Sequence, residues 1–180
     1  MLADTFTLIV VSLYISKVSA AINVQVPEIS LRPDIGIIGD THAGETRVRG
    51  TGEVVPNIRH FTAVHSRELG EVADAFRLPF IDPAWLKANI CFACSEMDNF
   101  TEMLVEGTKL LDAKGHPVLE IKGVTEPCVE AGEYIAARVP HLSVDAKNFP
   151  KVAYGRRGVY GVALEDVTIK LYDRFTVLLL

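Results

Sequence analysis

The chain has 180 residues, of which 49% are hydrophobic and 8% aromatic, and it carries a formal net charge of −5 with a pI near 5.5. This length and apolar content predict one globular domain over residues 1–180, with a substantial core, and exclude a disordered chain. The acidic balance does not favour nucleic acid or an anionic membrane as a partner, so an anion-binding function would need a local cluster of cations.

The N-terminal apolar run TFTLIVVSLYI, followed by KVSAA, has some features of a signal peptide. However, no Lys or Arg precedes it, Asp4 stands where a positive charge is expected, and the run is rich in β-branched residues. It is also too short to span a bilayer as a helix. We therefore predict a first β-strand, and no membrane as a partner.

Short runs of β-branched and aromatic residues, bounded by Gly, Pro or Asp, recur along the rest of the chain and predict strands. Many short strands and few helices favour a closed or partly open β-barrel with Greek-key-like connections over alternating βαβ units. We therefore predict a mainly β fold with a few short helices. The predicted strands are Thr7–Ile15, Ile22–Val26, Arg59–His65, Ile90–Ala93, Lys109–Leu111, Val118–Ile121, Val159–Leu164, Val167–Leu171 and Phe175–Leu179.

Two segments carry helix signals. The apolar residues of 69–76 recur with the spacing of one helix face, Ser66 is a candidate N-cap, and Pro79 stops the pattern. Further on, Asp82 before Pro83 predicts an N-cap followed by proline at the first helical position, which would open one short helical turn.

The segment GDTHAGET, residues 39–46, differs from a phosphate-binding P-loop by one residue type. Glu45 stands where the P-loop has a lysine, and a carboxylate there would repel the phosphates that the lysine neutralises. Nucleotide binding is therefore not expected. A simpler interpretation is that the glycines allow turns through positive φ and that Asp40 is an Asx-turn residue.

The three cysteines, at positions 91, 94 and 128, are too few and odd in number for a disulfide framework, which predicts a reducing, cytoplasmic location. Cys91 and Cys94 form a C-x-x-C pair, but no second pair or His pair completes a zinc site, so we interpret both as core residues or as incidental. The five histidines are too scattered for a fixed-spacing metal site, and neither zinc nor haem is expected.

Cys128, in GVTEPCVEAGEYIAAR, is the most chemically suggestive residue. Pro127 suits the first position of a helix that Thr125 or Glu126 would cap, which would place the thiol in the first helical turn. Unpaired backbone N–H groups there favour a thiolate, the form that acts as a nucleophile or a soft-metal ligand. The alternative is that Cys128 is a small buried apolar residue.

Several cations lie in glycine-rich loops or at strand ends, where guanidinium groups can hold oxyanions. If these segments meet, they form an anion site; if they do not, their side chains are ordinary solvated cations. The candidates are Arg47 and Arg49, Arg59 and His60, and Arg156 and Arg157.

Six segments follow one another in a recognisable order: IGIIGDTHAG (35–44), RHFTAVHSREL (59–69), LKANI (86–90), VEGTKLL (105–111), LEIKGVTEPC (119–128) and GRRGVYGVALED (155–166). Together they resemble the MOSC domain, the family named after the C-terminal part of molybdenum cofactor sulfurase. The likeness covers about residues 8–175. It implies a barrel of the pyruvate-kinase type that binds the molybdenum cofactor (molybdopterin) or carries sulfur on its cysteine.

The resemblance also implies roles for individual residues. Cys128 matches the family cysteine, which ligates molybdenum or holds a persulfide. His42, with Asp40, matches the first motif and would line the catalytic site, and Asn89 would hydrogen-bond a pterin edge or fix a loop. A clamp for the cofactor phosphate would consist of Arg59, His60, Arg156 and Arg157.

Two functions follow from the resemblance. In the first, the protein is a molybdenum-dependent oxidoreductase that reduces N-hydroxylated compounds with electrons from a partner reductase. In the second, it is a sulfur carrier that receives a persulfide from a cysteine desulfurase, or a cofactor-binding module without turnover. A barrel that has lost its chemistry is a third alternative. Lys87 and Ala88 depart from the family pattern, which predicts altered cofactor binding. The apolar C-terminus RFTVLLL is either a core strand or a surface covered in a homodimer.

Overall fold

The computed structural model describes residues 5–18 and 22–178, and these contain mainly short strands. The strands are β1 (Thr5–Ile15), β2 (Val24–Val26), β3 (Glu28–Arg32), β4 (Gly36–Ile37), β5 (Thr46–Val48), β6 (Val54–Pro56), β7 (Phe61–His65), β8 (Ile90–Ala93), β9 (Lys109–Leu111), β10 (Pro117–Val124), β11 (Val159–Ala163), β12 (Val167–Lys170) and β13 (Arg174–Leu178). The helices are α1 (Ser66–Ala75), α2 (Phe100–Met103), α3 (Val129–Arg138) and α4 (Phe149–Val152), with 3-10 turns at Pro83–Leu86 and Ala146–Asn148.

Seven strands close into a barrel in the order β13, β9, β10, β11, β7, β8 and β1. The ring closes because β1 pairs with both β8 and β13, while β2 extends from β1 outside the ring. β7 and β8 run parallel, and the other six barrel pairs are antiparallel. Closure leaves these strands without open edges. The prediction of a mainly β fold with a closed barrel is confirmed.

Two apolar clusters stabilise the fold. The barrel interior holds fully buried side chains such as Leu8, Phe61 and Phe92. In the second cluster, α1 packs against β7 and β8, and residues of α3 and α4 complete the apolar layer. Leu86, Ala88 and Ala131 belong to this second cluster, so it holds the 3-10 turn at Pro83–Leu86 against the start of α3.

Short apolar strands were the best predicted elements: the bounds of β8 and β9 match the predicted ones. The sequence signals missed β3 to β6. β3 lies between β12 and β4 in a separate three-stranded sheet, while β5 and β6 form a hairpin. The hairpin was missed because its loop, RGTGE, has two glycines and no apolar alternation.

The predicted helix start is correct at Asp82, displaced by one residue at α1 and displaced by two residues at α3. The Asp82 carboxylate accepts a hydrogen bond from the Ala84 N–H at 2.8 Å, as an N-cap does. The predicted cap at Ser66 is wrong, because His65 is the N-cap residue and Ser66 is helical. Cys128 likewise is itself the N-cap residue of α3, with extended φ and ψ, and Pro127 lies outside the helix.

Both ends of the barrel sequence are strands. The apolar N-terminal run is β1, as predicted, and RFTVLLL contributes β13, which lies between β1 and β9 as a barrel strand. Asp4, residues 19–21 and residues 179–180 lie outside the described part of the chain. Among the helices of the described residues, none has the length and apolar character needed to cross a bilayer.

Candidate functional site

The loop that follows β4 is organised around the buried carboxylate of Asp40. Its Oδ1 accepts a hydrogen bond from the His42 backbone N–H at 2.8 Å and lies 2.9 Å from His42 Nδ1. Its Oδ2 accepts from the Ser16 N–H at 2.8 Å and from Asn89 Nδ2 at 3.3 Å. The carboxylate therefore connects the histidine loop to the end of β1 and the start of β8.

The Asp40–His42 contact changes the protonation of both groups. Burial opposes ionisation of Asp40, but the hydrogen bonds from His42 and Ser16 outweigh it, so the pKa of Asp40 is lowered. The hydrogen bond to Asp40 raises the pKa of His42 above its ordinary value. The His42 side chain is 60% exposed and is held through Nδ1, which leaves Nε2 as the ring atom for a ligand or a proton transfer.

Replacing His42 by glutamine should destabilise the protein more at acidic than at basic pH. Because the folded-state pKa of His42 is raised, its stabilising contribution is complete below pH 6.5 and is lost as pH rises through the folded-state pKa. The side chain is more than half exposed, so we expect at most about 1 kcal/mol. Urea unfolding of wild type and His42→Gln at pH 5.5 and pH 8.5 measures this, with His141→Gln as an exposed-histidine control. If the free energies of unfolding of wild type and His42→Gln differ by the same amount at both pH values, the pairing of His42 with Asp40 is contradicted.

Asn89 acts as a structural amide. Its Oδ1 accepts hydrogen bonds from the Thr62 N–H and hydroxyl at 3.0 and 3.1 Å, and its Nδ2 donates to Asp40 and to the Tyr14 carbonyl, both at 3.3 Å. The side chain is buried. Of the two roles expected for Asn89, the geometry matches loop fixation, because its amide groups are already used within the protein.

Cys128 lies at the edge of a small cavity of about 140 Å³ between the 3-10 turn at Pro83–Leu86 and the start of α3. The thiol is exposed, whereas Ala131 and Ile135 on the same helix are buried. The alternative of a buried apolar cysteine is therefore wrong for Cys128. The lining residues are Trp85, Leu86, Lys87, Cys128, Glu130, Ala131, Tyr134 and Arg157.

Arg157 places a buried guanidinium in the wall of the Cys128 cavity. The residue is 9% exposed, and its Nη2 donates to the Leu86 carbonyl at 2.6 Å. Its Nε and Nη1 have no hydrogen-bond partner among the described residues. Burial lowers the pKa of Arg157 to about 10; attraction to Cys128 opposes this and repulsion from Arg59 adds to it. Two donors of a buried cation thus lie unpaired in the cavity that the thiol lines. Unpaired buried donors reduce the stability of the fold unless an anion binds to them.

The four-residue phosphate clamp expected from sequence is not assembled as one group. Arg156 points elsewhere, because its Nε donates to Glu71 of α1 at 2.7 Å. His60 is buried, its Nδ1 accepts from the Ala163 N–H at 3.1 Å, and burial lowers its pKa, so it does not act as a cation. Arg59 stacks on Tyr160, with its guanidinium carbon 4.1 Å from the ring centroid, within electrostatic range of Arg157.

Lys87 lines the Cys128 cavity, although the sequence patterns did not predict it as a site residue. It adopts left-handed backbone angles at the end of the 3-10 turn, and its Nζ lies 4.9 Å from the centroid of the Tyr134 ring. Lys87 is within electrostatic range of His42 and also lines the cavity of the thiol. Its departure from the family pattern was the available signal.

The remaining cysteines do not contribute to this site. Cys91 and Cys94 are both buried, as assigned from sequence, and burial raises the pKa of Cys91 to about 12. Across residues 5–18 and 22–178, no three His, Cys, Asp or Glu side chains are grouped so that they could hold a metal ion.

Comparison with known proteins gives relatives both in sequence and in structure. The chain is 34% identical over 131 residues to YuaD of Bacillus subtilis (strain 168), a protein named for metal-sulfur cluster biosynthesis. The match covers 69% of this chain and 66% of that protein, just under two thirds of its length. The crystal structure of YuaD matches with a TM-score of 0.88 and 27% identity over 98% of both chains. No protein-family model matches the chain.

Two more distant structures show the same fold. YiiM from Geobacillus stearothermophilus matches with a TM-score of 0.62 and 13% identity, over 94% of this chain and 74% of that one. YiiM from Escherichia coli matches with a TM-score of 0.60 and 11% identity, over 94% and 69%. The YiiM proteins are MOSC-domain proteins.

The closed barrel has the fold of these MOSC-domain proteins, so the chain has a MOSC-like fold. Within that class, the chain is a relative of YuaD, which it matches along nearly its whole length in structure.

Proposed function

We propose that the protein binds the molybdenum cofactor at the Cys128 cavity and uses it to reduce N-hydroxylated compounds, with electrons from a partner reductase. One observation carries the proposal. An exposed thiol and a buried guanidinium with two unpaired donors line the same cavity. A thiolate is a soft ligand suited to molybdenum, and an unpaired buried guanidinium calls for an anion such as the cofactor provides.

The residues present fit such a group in charge and in donor type. The cavity volume of about 140 Å³ is below the roughly 300–1,000 Å³ typical of sites that enclose a whole organic ligand. It therefore fits the anionic part of the cofactor better than the complete pterin. Trp85 and Tyr134 supply flat apolar walls beside the charged groups.

Each side chain has a separate task in this proposal. Arg157 and Lys87 neutralise negative charge, and Cys128 provides the protein ligand. His42 exchanges a proton at Nε2, while Asp40 fixes the ring through Nδ1 and favours its charged form. When bound, the cofactor supplies the electron-transfer chemistry.

Metal and pterin analysis of protein made in a host that synthesises the cofactor tests this function. We expect molybdenum and pterin near one equivalent per chain in wild type and a loss of at least about tenfold in Cys128→Ser, since the protein ligand is gone. Cys94→Ser, at a buried cysteine away from the cavity, is the matched control and should keep both. Wild-type protein without molybdenum, or equal contents in Cys128→Ser, would refute the proposal.

A sulfur carrier is the second candidate, and two observations favour it: the name of YuaD and the small size of the cavity. Here the Cys128 thiolate attacks the terminal sulfur of a persulfide on a cysteine desulfurase. The donor leaves as a thiolate and Cys128 becomes the persulfide, so no external oxidant is needed. Incubation with such a donor should add about 32 Da to Cys128 without bound metal.

A further inference from the structure

A buried carboxylate outside the cavity is connected by hydrogen bonds to the segments that carry Arg157 and Cys128. Glu68 lies on α1 and is 1% exposed. Its Oε1 accepts from the Thr101 N–H at 2.8 Å, and its Oε2 accepts from the Thr101 hydroxyl at 2.6 Å. Burial of a carboxylate reduces the free energy of unfolding unless the carboxylate is hydrogen-bonded. Both hydrogen bonds of Glu68 come from Thr101, and they fix the position of that residue.

Thr101 in turn holds the turn that carries Arg157. Its hydroxyl oxygen accepts a hydrogen bond from the Gly158 N–H at 2.9 Å. The Gly158 carbonyl accepts from the Thr125 N–H at 2.8 Å, in the loop that leads to Cys128. Gly158 thus joins the segment of the guanidinium to the segment of the thiol, and Glu68 fixes this junction through Thr101.

We propose that Glu68 is a positioning residue, which acts through Thr101 and Gly158 to keep the Arg157 guanidinium beside the Cys128 thiol. The inference rests on the proposed anion-binding role of the Cys128 cavity. Without the bonds from Glu68, the Thr101 hydroxyl is free to rotate and the Gly158 turn can shift. The contact between Arg157 Nη2 and Leu86 depends on that turn, so the guanidinium moves away from the thiol.

Glutamine is an informative replacement because it changes one acceptor of Glu68 into a donor. Both groups that face the carboxylate, the N–H and the hydroxyl of Thr101, donate to it. If the amide oxygen faces the Thr101 N–H, the NH₂ faces the Thr101 hydroxyl, which must then accept from glutamine instead of donating to it, so its proton no longer has the partner that Glu68 provides, while the volume is kept. Thr101→Val removes the hydroxyl, and Thr101→Ser keeps it.

The test compares alkylation of Cys128 by iodoacetate, an anion, and by iodoacetamide, its neutral analogue. The ratio of the two rate constants, read on the Cys128 peptide by mass spectrometry and divided by the ratio for a small free thiol, reports positive charge beside the sulfur. Wild type should favour the anion, and added salt should reduce the preference. We expect Glu68→Gln and Thr101→Val to lower the ratio roughly fivefold, with Thr101→Ser close to wild type.

Two further variants distinguish a failure of the positioning role of Glu68 from a failure of the anion site itself. Glu71→Gln lies on the same helix and alters the pairing of Arg156, so it should leave the ratio unchanged. Arg157→Met should lower the ratio as much as Glu68→Gln does. If Arg157→Met lowers it and Glu68→Gln does not, the positioning role is refuted and the anion site stands. If Arg157→Met has no effect, the anion site and the positioning role both fail. General destabilisation would affect both reagents alike and leave the ratio unchanged.

Discussion

Gly158→Ala is expected to destabilise the protein strongly, and much more than Gly115→Ala. Gly158 has φ +85°, and a Cβ at this position would overlap the carbonyl oxygen of Ala63 on β7. Left-handed angles alone cost about 1–2 kcal/mol for a non-glycine residue. The clash adds to this because its partner is barrel backbone, which cannot move without breaking the pairing of β7 with β11. We expect the free energy of unfolding to fall by at least about 3 kcal/mol, measured by urea denaturation.

Gly115→Ala is the matched control for this prediction. Gly115 has nearly the same φ, +83°, but a Cβ there meets nothing within 4 Å. The control therefore carries the cost of the backbone angle without the clash, roughly 1 kcal/mol. Equal losses in the two variants would show that the turn at Gly158 can relax away from β7.

The barrel was predictable from sequence because its strands are short, β-branched and bounded by turn residues. Phe61, Val64 and Phe92, for example, lie in such runs and are buried. The same reasoning found the 3-10 turn at Asp82, since a side-chain cap and a proline act within three residues of each other. Local chemistry determined both features, so no knowledge of the tertiary fold was needed.

The arrangement of the cations was not predictable in the same way. Arg156 and Arg157 are neighbours in sequence, yet one pairs with Glu71 on the protein surface and the other is buried against Leu86. Which of the two enters the cavity depends on the direction of the turn at Gly158, and that turn is fixed by the distant residues Ala63 and Thr101. Sequence spacing contains no information about such contacts.

The same limit applies to His60 and Asn89. Both have side chains that bind ligands in many proteins, and both were assigned such roles from their place in the motifs. In the structure, His60 accepts a hydrogen bond from the Ala163 N–H and Asn89 binds Thr62, so each stabilises the barrel wall. A polar residue beside a strand end can serve backbone groups of another strand as readily as a ligand, and only the fold decides between them.

Asp40→Asn is expected to give the second large effect, because the four groups that face this carboxylate within hydrogen-bonding distance suit an acceptor. They are the N–H groups of Ser16 and His42, His42 Nδ1 and Asn89 Nδ2. An asparagine amide must direct its NH₂ at two of these groups, which leaves buried donors unpaired. We expect a loss of roughly 2–4 kcal/mol in the free energy of unfolding at pH 7. Asp34→Asn, at an exposed ion pair with Arg32, is the control and should cost under about 0.5 kcal/mol.

The effect of Asp40→Asn should also depend on pH in a defined direction. Because the folded-state pKa of Asp40 is lowered, its stabilising contribution is present above pH 3.8 and is lost as pH falls through the folded-state pKa. The difference in free energy of unfolding between wild type and Asp40→Asn should therefore become smaller below about pH 4. A difference that stays constant down to pH 2.5 would mean that Asp40 is not stabilised as a carboxylate. The histidine loop would then owe its shape to its glycines, and the ring of His42 would lack the fixed orientation that proton transfer at Nε2 requires.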